Sequence, residues 1–218
     1  MQQVNREDIE IALRNGERAF VECSWSEADL SSLDLSYATF THCTFERVDF
    51  SRTRLLGSTW HACKAEHARF SAADCCDGKF SRCNFANSDW YEARLASARF
   101  EESKLTGANF SNAHMLGVEI ENCLLVSAVL RGISFRKRVL RGLDFSDADL
   151  AQVDFREATL IDCRLRGTSL RDAQFRGADL RGCDLGNLSL KDAAVFRGAV
   201  ISSQQATELL GSLDIHVL

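Results

Sequence analysis

Every fifth residue from Phe20 to Val200 is apolar, thirty-seven positions in one frame, and only Ala65 and Cys75 among them are small. An amphipathic helix places apolar residues at i, i+3, i+4 and i+7, and a half-buried strand alternates by two, so strict fives demand a repeating geometry of another kind. A second selected position lies two residues before each centre and is usually small, as at Ala28, Cys43, Ala108, Ala148, Ala173 and Ala178. The other three positions carry the Asp, Glu, Arg, Lys, Ser, Asn and Gly expected of solvent-facing turns. Two residues of each five point inward, and the small one implies a crowded interior. Phe and Trp crowd the centres from Phe20 to Phe110, and Leu dominates from Leu140 to Leu190. The Gly residues, among them Gly107, Gly117, Gly132, Gly167 and Gly177, fall two after a centre, at the corners.

With 218 residues the chain suits one domain, and no apolar run approaches the roughly 20 residues that a membrane span needs. The start, MQQVNREDIE, lacks the basic and apolar stretches of a secretory signal, so the expected compartment is the cytoplasm. Nine cysteines are an odd number in a chain too large to need stapling, and reduced thiols are expected. Proline is absent, as a continuous hydrogen-bonded ladder prefers. A net charge of −5 argues against direct nucleic-acid binding. There is no P-loop, GxSxG or HExxH, and His42, His61, His67, His114 and His216 are scattered; neither an enzyme nor a cofactor is expected.

Ala28-Asp29-Leu30, Ala108-Asn109-Phe110, Ala148-Asp149-Leu150 and Ala178-Asp179-Leu180 resemble the A(D/N)LXX pattern of the pentapeptide-repeat family, over residues 20–200. The resemblance implies an all-β solenoid, a right-handed quadrilateral β-helix with four pentapeptides per coil and about nine coils here. Residues twenty apart then stack on one face. Cys23, Cys43, Cys63, Cys83, Cys123, Cys163 and Cys183 all differ by multiples of twenty, which supports four faces on its own. Without a CxxC pair, that column reads as small buried residues rather than a metal or redox site.

The ends of a solenoid need caps. Residues 1–17 are read as an N-terminal cap whose helix runs from Asn5 to Arg14, residues 18–200 as the repeat, and 201–218 as a C-terminal helix and tail. Ser202 and Gln205 form a capping box; Ala206, Leu209, Leu210 and Leu213 share one helical stripe, and Ile215 and Val217 one side of a short strand. That is more apolar surface than one cap requires, and these six residues are assigned to a homodimer interface.

The ending AVISSQQATELLGSLDIHVL resembles that of the Qnr and MfpA families and of the albicidin-resistance protein. This resemblance implies a two-fold dimer through the C-terminal helices. It also implies a rod resembling duplex DNA that binds type II topoisomerases, DNA gyrase above all or topoisomerase IV, and counters quinolones or peptide toxins. The competing expectation is a non-catalytic interaction scaffold. Asp29, Asp49, Asp89, Glu92, Asp149, Asp172 and Asp192 are assigned to an acidic partner-binding face, and Arg54, Arg94, Arg136, Lys137, Arg156, Arg176 and Arg197 to a basic one. The frame admits no insertion between Phe20 and Val200, which makes the loop-free MfpA type the nearer comparison. One coil departs from the outward-polar rule, with Leu124, Val126, Val129 and Val139 at exposed positions and Arg138 at an inward one. The cluster Arg136, Lys137 and Arg138 beside this apolar patch reads either as a partner contact or as a bulge that turns Arg138 outward, and the bulge is the expectation.

Overall fold

Each pentapeptide divides its five residues between one short β-bridge and one tight corner, and the corner is where the backbone conformation is unusual. In the computed structural model, which describes residues 2, 3, 5–186 and 194–211, every fifth residue from Glu22 to Gly177 has a positive φ, between 48° and 75°. The N–H three residues after a centre bonds back to the centre's carbonyl, as from Ala28 to Trp25 at 2.9 Å, closing a turn whose third residue is left-handed, the type II geometry. A non-glycine residue in that conformation is strained by about 1 kcal/mol or more. It persists because its own N–H is fixed to the next coil, as from Glu22 to the Thr41 carbonyl at 2.9 Å. The result is a parallel β-solenoid of about eight turns, one fewer than the repeat count suggests.

Contacts divide the chain into two units, residues 1–124 and 125–218. The first contains β1 (Gln2–Gln3), α1 (Arg6–Arg14), β2 (Ala19–Val21), β3 (Cys23–Ser24), β4 (Thr39–Thr41), β5 (Thr59–His61), β6 (Lys79–Ser81), β7 (Arg99–Glu101) and β8 (Glu119–Glu121). Strands β2, β4, β5, β6, β7 and β8 pair in parallel at a step of twenty residues, Phe20 beside Phe40, then Trp60, Phe80, Phe100 and Ile120. The interior is aromatic: Trp60, Phe70 and Trp90 are fully buried, and Phe70 and Trp90 stack with ring centroids 4.0 Å apart.

The small inward position also supplies hydrogen bonds. Trp60 and Trp90 each donate Nε1–H to the serine hydroxyl two residues earlier, Ser58 at 3.0 Å and Ser88 at 2.7 Å. At Trp25 that position is Cys23, and the buried Trp25 Nε1 has no partner among the described residues. Cys23→Ser is therefore expected to stabilise the protein by about 0.5–1.5 kcal/mol, read from the denaturant midpoint. An unchanged or lowered midpoint would show that the indole is satisfied in another way.

The cysteine column exists, and its thiols serve the backbone. Cys43 Sγ–H donates to the Phe20 carbonyl and Cys63 to that of Phe40, both at 3.4 Å, with Ser103 taking the same role toward Phe80. In the second unit Cys163 and Cys183 repeat the pattern toward Leu140 and Leu160. All nine cysteines are free thiols, and burial pushes Cys123 up to about 11, so it remains protonated and unreactive.

Both end helices carry the expected caps. In α1 the Asn5 side chain accepts from the Asp8 N–H while Asp8 accepts from the Asn5 N–H, and Ile9 is buried. Arg6 then donates one guanidinium nitrogen to two carbonyls of the first coil, Asp29 at 3.0 Å and Ser31 at 3.2 Å.

The second unit contains β9 (Val139–Arg141), β10 (Thr159–Arg164), β11 (Asp179–Asp184), a 3-10 turn (Ala194–Phe196) and α2 (Ser203–Gly211). Before α2, Ser202 and Gln205 form the reciprocal box at 2.7 and 3.2 Å. The same Gln205 donates Nε2–H to the Leu180 and Cys183 carbonyls at 2.8 and 2.7 Å. One long polar side chain thus does for this coil what Arg6 does for the first. No described helix is long and apolar enough to cross a membrane.

Two expectations are corrected. The coil at Arg138 has no bulge: β9 and β10 pair in plain register, Val139 with Thr159 through Arg141 with Ile161, and Arg138 lies half-buried at the inward position. Its long stem can follow the apolar surface while the guanidinium reaches outward, so the backbone need not yield.

Nor does the frame run unbroken to Val200. Phe196, twenty-one residues after Phe175, packs against it with ring centroids 4.8 Å apart, Asp179 pairs with Val200, and Val200 is 47% exposed. One residue has been added between Leu185 and Phe196, so Phe196 rather than Val195 is the centre. Leu190 lies outside the described residues.

Candidate functional site

Of the acids assigned to one face, Asp29, Asp49, Asp89 and Asp149 occupy the bridge position before a centre, where each also shapes its own corner. Asp29, Asp49 and Asp89 accept the N–H two residues on, from Ser31 at 2.9 Å, Ser51 at 2.8 Å and Tyr91 at 3.2 Å. The corner geometry places that N–H beside the carboxylate, which is why Asp and Asn recur there. Successive bridges run Asp29 to Asp49, Asp49 to Arg69, Arg69 to Asp89 and Asp89 to Asn109, so the structure brings the three acids into one column with a base among them.

Arg69 pairs with Asp49 at 3.0 Å, and Arg6 reaches Asp29 at 3.6 Å. Asp89 accepts from Ser71 at 2.7 Å and Asn109 at 2.9 Å. Ser31, by its side chain and then its N–H, holds the Asp29 carboxyl below its ordinary value. Glu92 stands apart from this column at a left-handed, exposed corner, and its carboxylate has no partner among the described residues.

In the second unit Asp149 accepts from Ala151 N–H and pairs with Arg131. Asp172 lies at an exposed corner rather than in the Asp149 position. Asp192 lies outside the described residues.

The acidic cluster that sequence reasoning missed is on β7 and β8. Glu101 and Glu121 are direct neighbours in register, both exposed, and neither carboxylate has a partner among the described residues. The nearby Glu102 and Glu119 are tied to Arg82 at 2.7 Å and Arg99 at 3.0 Å. Like charges side by side destabilise a sheet and are relieved when a cation is brought to them. The twenty-residue spacing of Glu101 and Glu121 was the available signal. Residues 1–124 hold 19 acidic and 13 basic side chains, a net of −6, and residues 125–218 hold 12 and 13, a net of +1.

The basic positions are also partly paired: Arg54 with Asp34 at 3.3 Å, Arg94 with Asp74 at 3.1 Å, Arg136 and Lys137 with Glu157 at 2.9 and 3.5 Å, and Arg156 with Asp154 at 2.7 Å. Exposed pairs of this kind are weak, so a partner can exchange them at little cost. Of the dimer stripe, Ala206, Leu209 and Leu210 lie on the half-buried side of α2; Leu213, Ile215 and Val217 lie outside the described residues. Among the described residues no group of three or more His, Cys, Asp or Glu could hold a metal ion.

Comparison with known proteins agrees with this geometry. The family described as pentapeptide repeat region matches residues 33–110, and that described as pentapeptide repeats (8 copies) matches segments from 93 to 202. No curated protein matches. Two trypsin-treated forms of QnrB1, described as a plasmid-mediated fluoroquinolone resistance protein, share the fold. One has a TM-score of 0.82 at 20% identity, covering 92% of this chain and 99% of that one; the other has 0.81 at 21%, covering 91% and 99%. Full-length QnrB1 gives 0.60 at 20% identity, covering 88% and 100%. By its repeat frame, its four-sided coil and these matches, the chain belongs to the pentapeptide-repeat family.

Proposed function

We propose that this chain binds a type II topoisomerase, DNA gyrase in the first place, by presenting the anionic surface of residues 1–124 where duplex DNA otherwise lies. The observation that carries the reading is the unpaired Glu101–Glu121 neighbourhood on a unit with a net charge of −6. A basic DNA-binding saddle attracts such a surface for the same Coulombic reason that it attracts phosphates. Coils spaced about 4.8 Å apart give the five coils between β2 and β8 a length of about 24 Å, along which duplex carries about 14 charges. The mimicry is accordingly local, confined to a patch rather than to the whole surface.

The fold likeness to QnrB1 supports the reading, as does the resemblance of the C-terminal segment to topoisomerase-interacting relatives. A homodimer through the α2 stripe belongs to the same proposal; Leu209→Asp is expected to convert dimers to monomers in sedimentation. Purified protein is expected to inhibit gyrase supercoiling, or to rescue it from a quinolone or peptide poison, at micromolar concentration. Glu101→Lys with Glu121→Lys should weaken that effect about tenfold. A folded protein without effect in either assay sinks the proposal. A second reading, a non-catalytic interaction scaffold, is favoured by the local pairing of Asp29, Asp49 and Asp149 with Arg6, Arg69 and Arg131.

A further inference from the structure

In the second unit the residue after the centre on one face is arginine in every coil: Phe135-Arg136, Phe155-Arg156, Phe175-Arg176 and Phe196-Arg197. The phenylalanine rings follow one another with centroid spacings of 5.6, 4.9 and 4.8 Å, the first two pairs stacked and the last tilted, so the arginines that follow them recur as a ladder at about the same step. The extra residue before Phe196 leaves that ladder intact, because Phe-Arg-Gly recurs at 175–177 and 196–198 once the shift is absorbed. In residues 1–124 the position after the corresponding centres holds Ser36, Leu56, Cys76, Ala96 and Leu116, none of them charged.

The ladder's rungs differ in what they already hold. Arg136 is tied to Glu157, and Arg156 to Asp154 through two nitrogens at 2.8 and 2.7 Å. Arg176 and Arg197 are exposed, and their guanidinium groups have neither hydrogen bond nor ion pair among the described residues. Their corners are Gly177 and Gly198, with φ of 75° and 79°, where the other two rungs have Lys137 and Glu157. Bare corners leave the two free guanidiniums open to an approaching surface. Four cations in a row at this spacing repel one another, and an external anion of matching spacing relieves that repulsion.

Spacing selects the anion. Three steps of the ladder span about 14–15 Å at the coil repeat of about 4.8 Å. An α-helix with one carboxylate per turn spans about 16 Å over three turns, a difference flexible side chains absorb. An extended peptide, whose same-face side chains recur every ~6.6 Å, spans about 20 Å and falls out of step. A duplex strand completes a turn in about 34–36 Å, so within the ladder's length its phosphates wind away from a straight row. We infer that the Arg136–Arg156–Arg176–Arg197 ladder is a docking surface for an acidic α-helix of a protein partner, seated by one carboxylate per turn, with Arg176 and Arg197 the principal contacts.

The test uses the full chain and a labelled alanine-rich helical peptide with one glutamate per turn on one face, followed by fluorescence anisotropy at low and high salt. Binding should weaken with salt, and Arg176→Glu with Arg197→Glu should weaken it about tenfold or more. Arg181→Glu, a base of the same unit paired to Asp179 and off the ladder, should change it little. A peptide of equal composition with its glutamates spread round the helix should bind more weakly. Equal binding of the two peptides, equal loss from Arg181→Glu, or tighter ladder-dependent binding of a single-stranded oligonucleotide each overturns the assignment. Circular dichroism of every variant confirms that the fold is retained, and the conservative Arg176→Lys with Arg197→Lys pair should restore most of the affinity.

Discussion

Trp90→Ala is expected to destabilise the protein by about 3–5 kcal/mol, a large share of the total stability of a domain this size. Trp90 is fully buried, stacks face to face on Phe70 at 4.0 Å and on Phe110 at 5.9 Å, and meets Phe80, Phe85 and Phe100 edge-on between 5.4 and 5.7 Å. Truncation removes the transfer term and leaves a cavity between coils that the backbone bonds on either side prevent from closing. In a solenoid each coil is stabilised only by its neighbours, so the damage should be local. Hydrogen exchange should rise first between Phe80 and Phe110, ahead of the rest of residues 1–124. A loss below about 1 kcal/mol in denaturant unfolding would mean that the aromatic stack relaxes into the space.

Ala93→Asp should be more damaging still, and the damage should depend on pH. Ala93 is fully buried at the small inward position, and the residue one coil earlier is the equally buried Ala73. A carboxylate there is taken from water without a cation and its pKa rises well above the unfolded value of about 3.9. Below that value both folded and unfolded states are protonated, and the steric cost and that of burying a neutral carboxyl remain. As pH rises through the folded-state pKa, the unfolded chain releases its proton first and stability falls further. In chemical denaturation the loss relative to the unsubstituted protein should therefore be larger at pH 7 than at pH 4 for Ala93→Asp and the same at both for Ala93→Asn; equal losses for Ala93→Asp would show that water reaches the site. Ala93→Ser should be mild, because Thr53, Ser88 and Ser103 at equivalent positions each donate to a main-chain carbonyl.

The frame of five, the twenty-residue register, the start of α1 at Asn5 and the Ser202–Gln205 box were legible in the sequence, because each rests on local pattern and side-chain chemistry. The shifted last coil was obscured for a physical reason: Leu190, Val195 and Val200 are apolar and satisfied the old frame. The sharper signal was the recurrence of FRGADL at 175–180 as FRGAVI at 196–201, twenty-one residues apart. The pairing of the acidic face was half legible. Arg69 follows Asp49 by twenty, whereas the contact of Arg6 with Asp29 depends on how α1 docks, which no periodicity encodes. The expected bulge at Arg138 gave too little weight to the ladder of backbone bonds, from Thr159 N–H to the Arg138 carbonyl at 2.9 Å, against one flexible side chain.

The side chains that close the terminal coils have a consequence for assembly. Every coil offers its neighbour the same donors and acceptors, and nothing in the repeat counts how many coils have been laid down. Arg6, on the carbonyls of Asp29 and Ser31, and Gln205, on those of Leu180 and Cys183, occupy acceptors that a further coil would use. They are chain terminators in the polymer sense. With both removed, a rim is a seed, and end-to-end filaments become the competing product of the same hydrogen bonds that hold the monomer together.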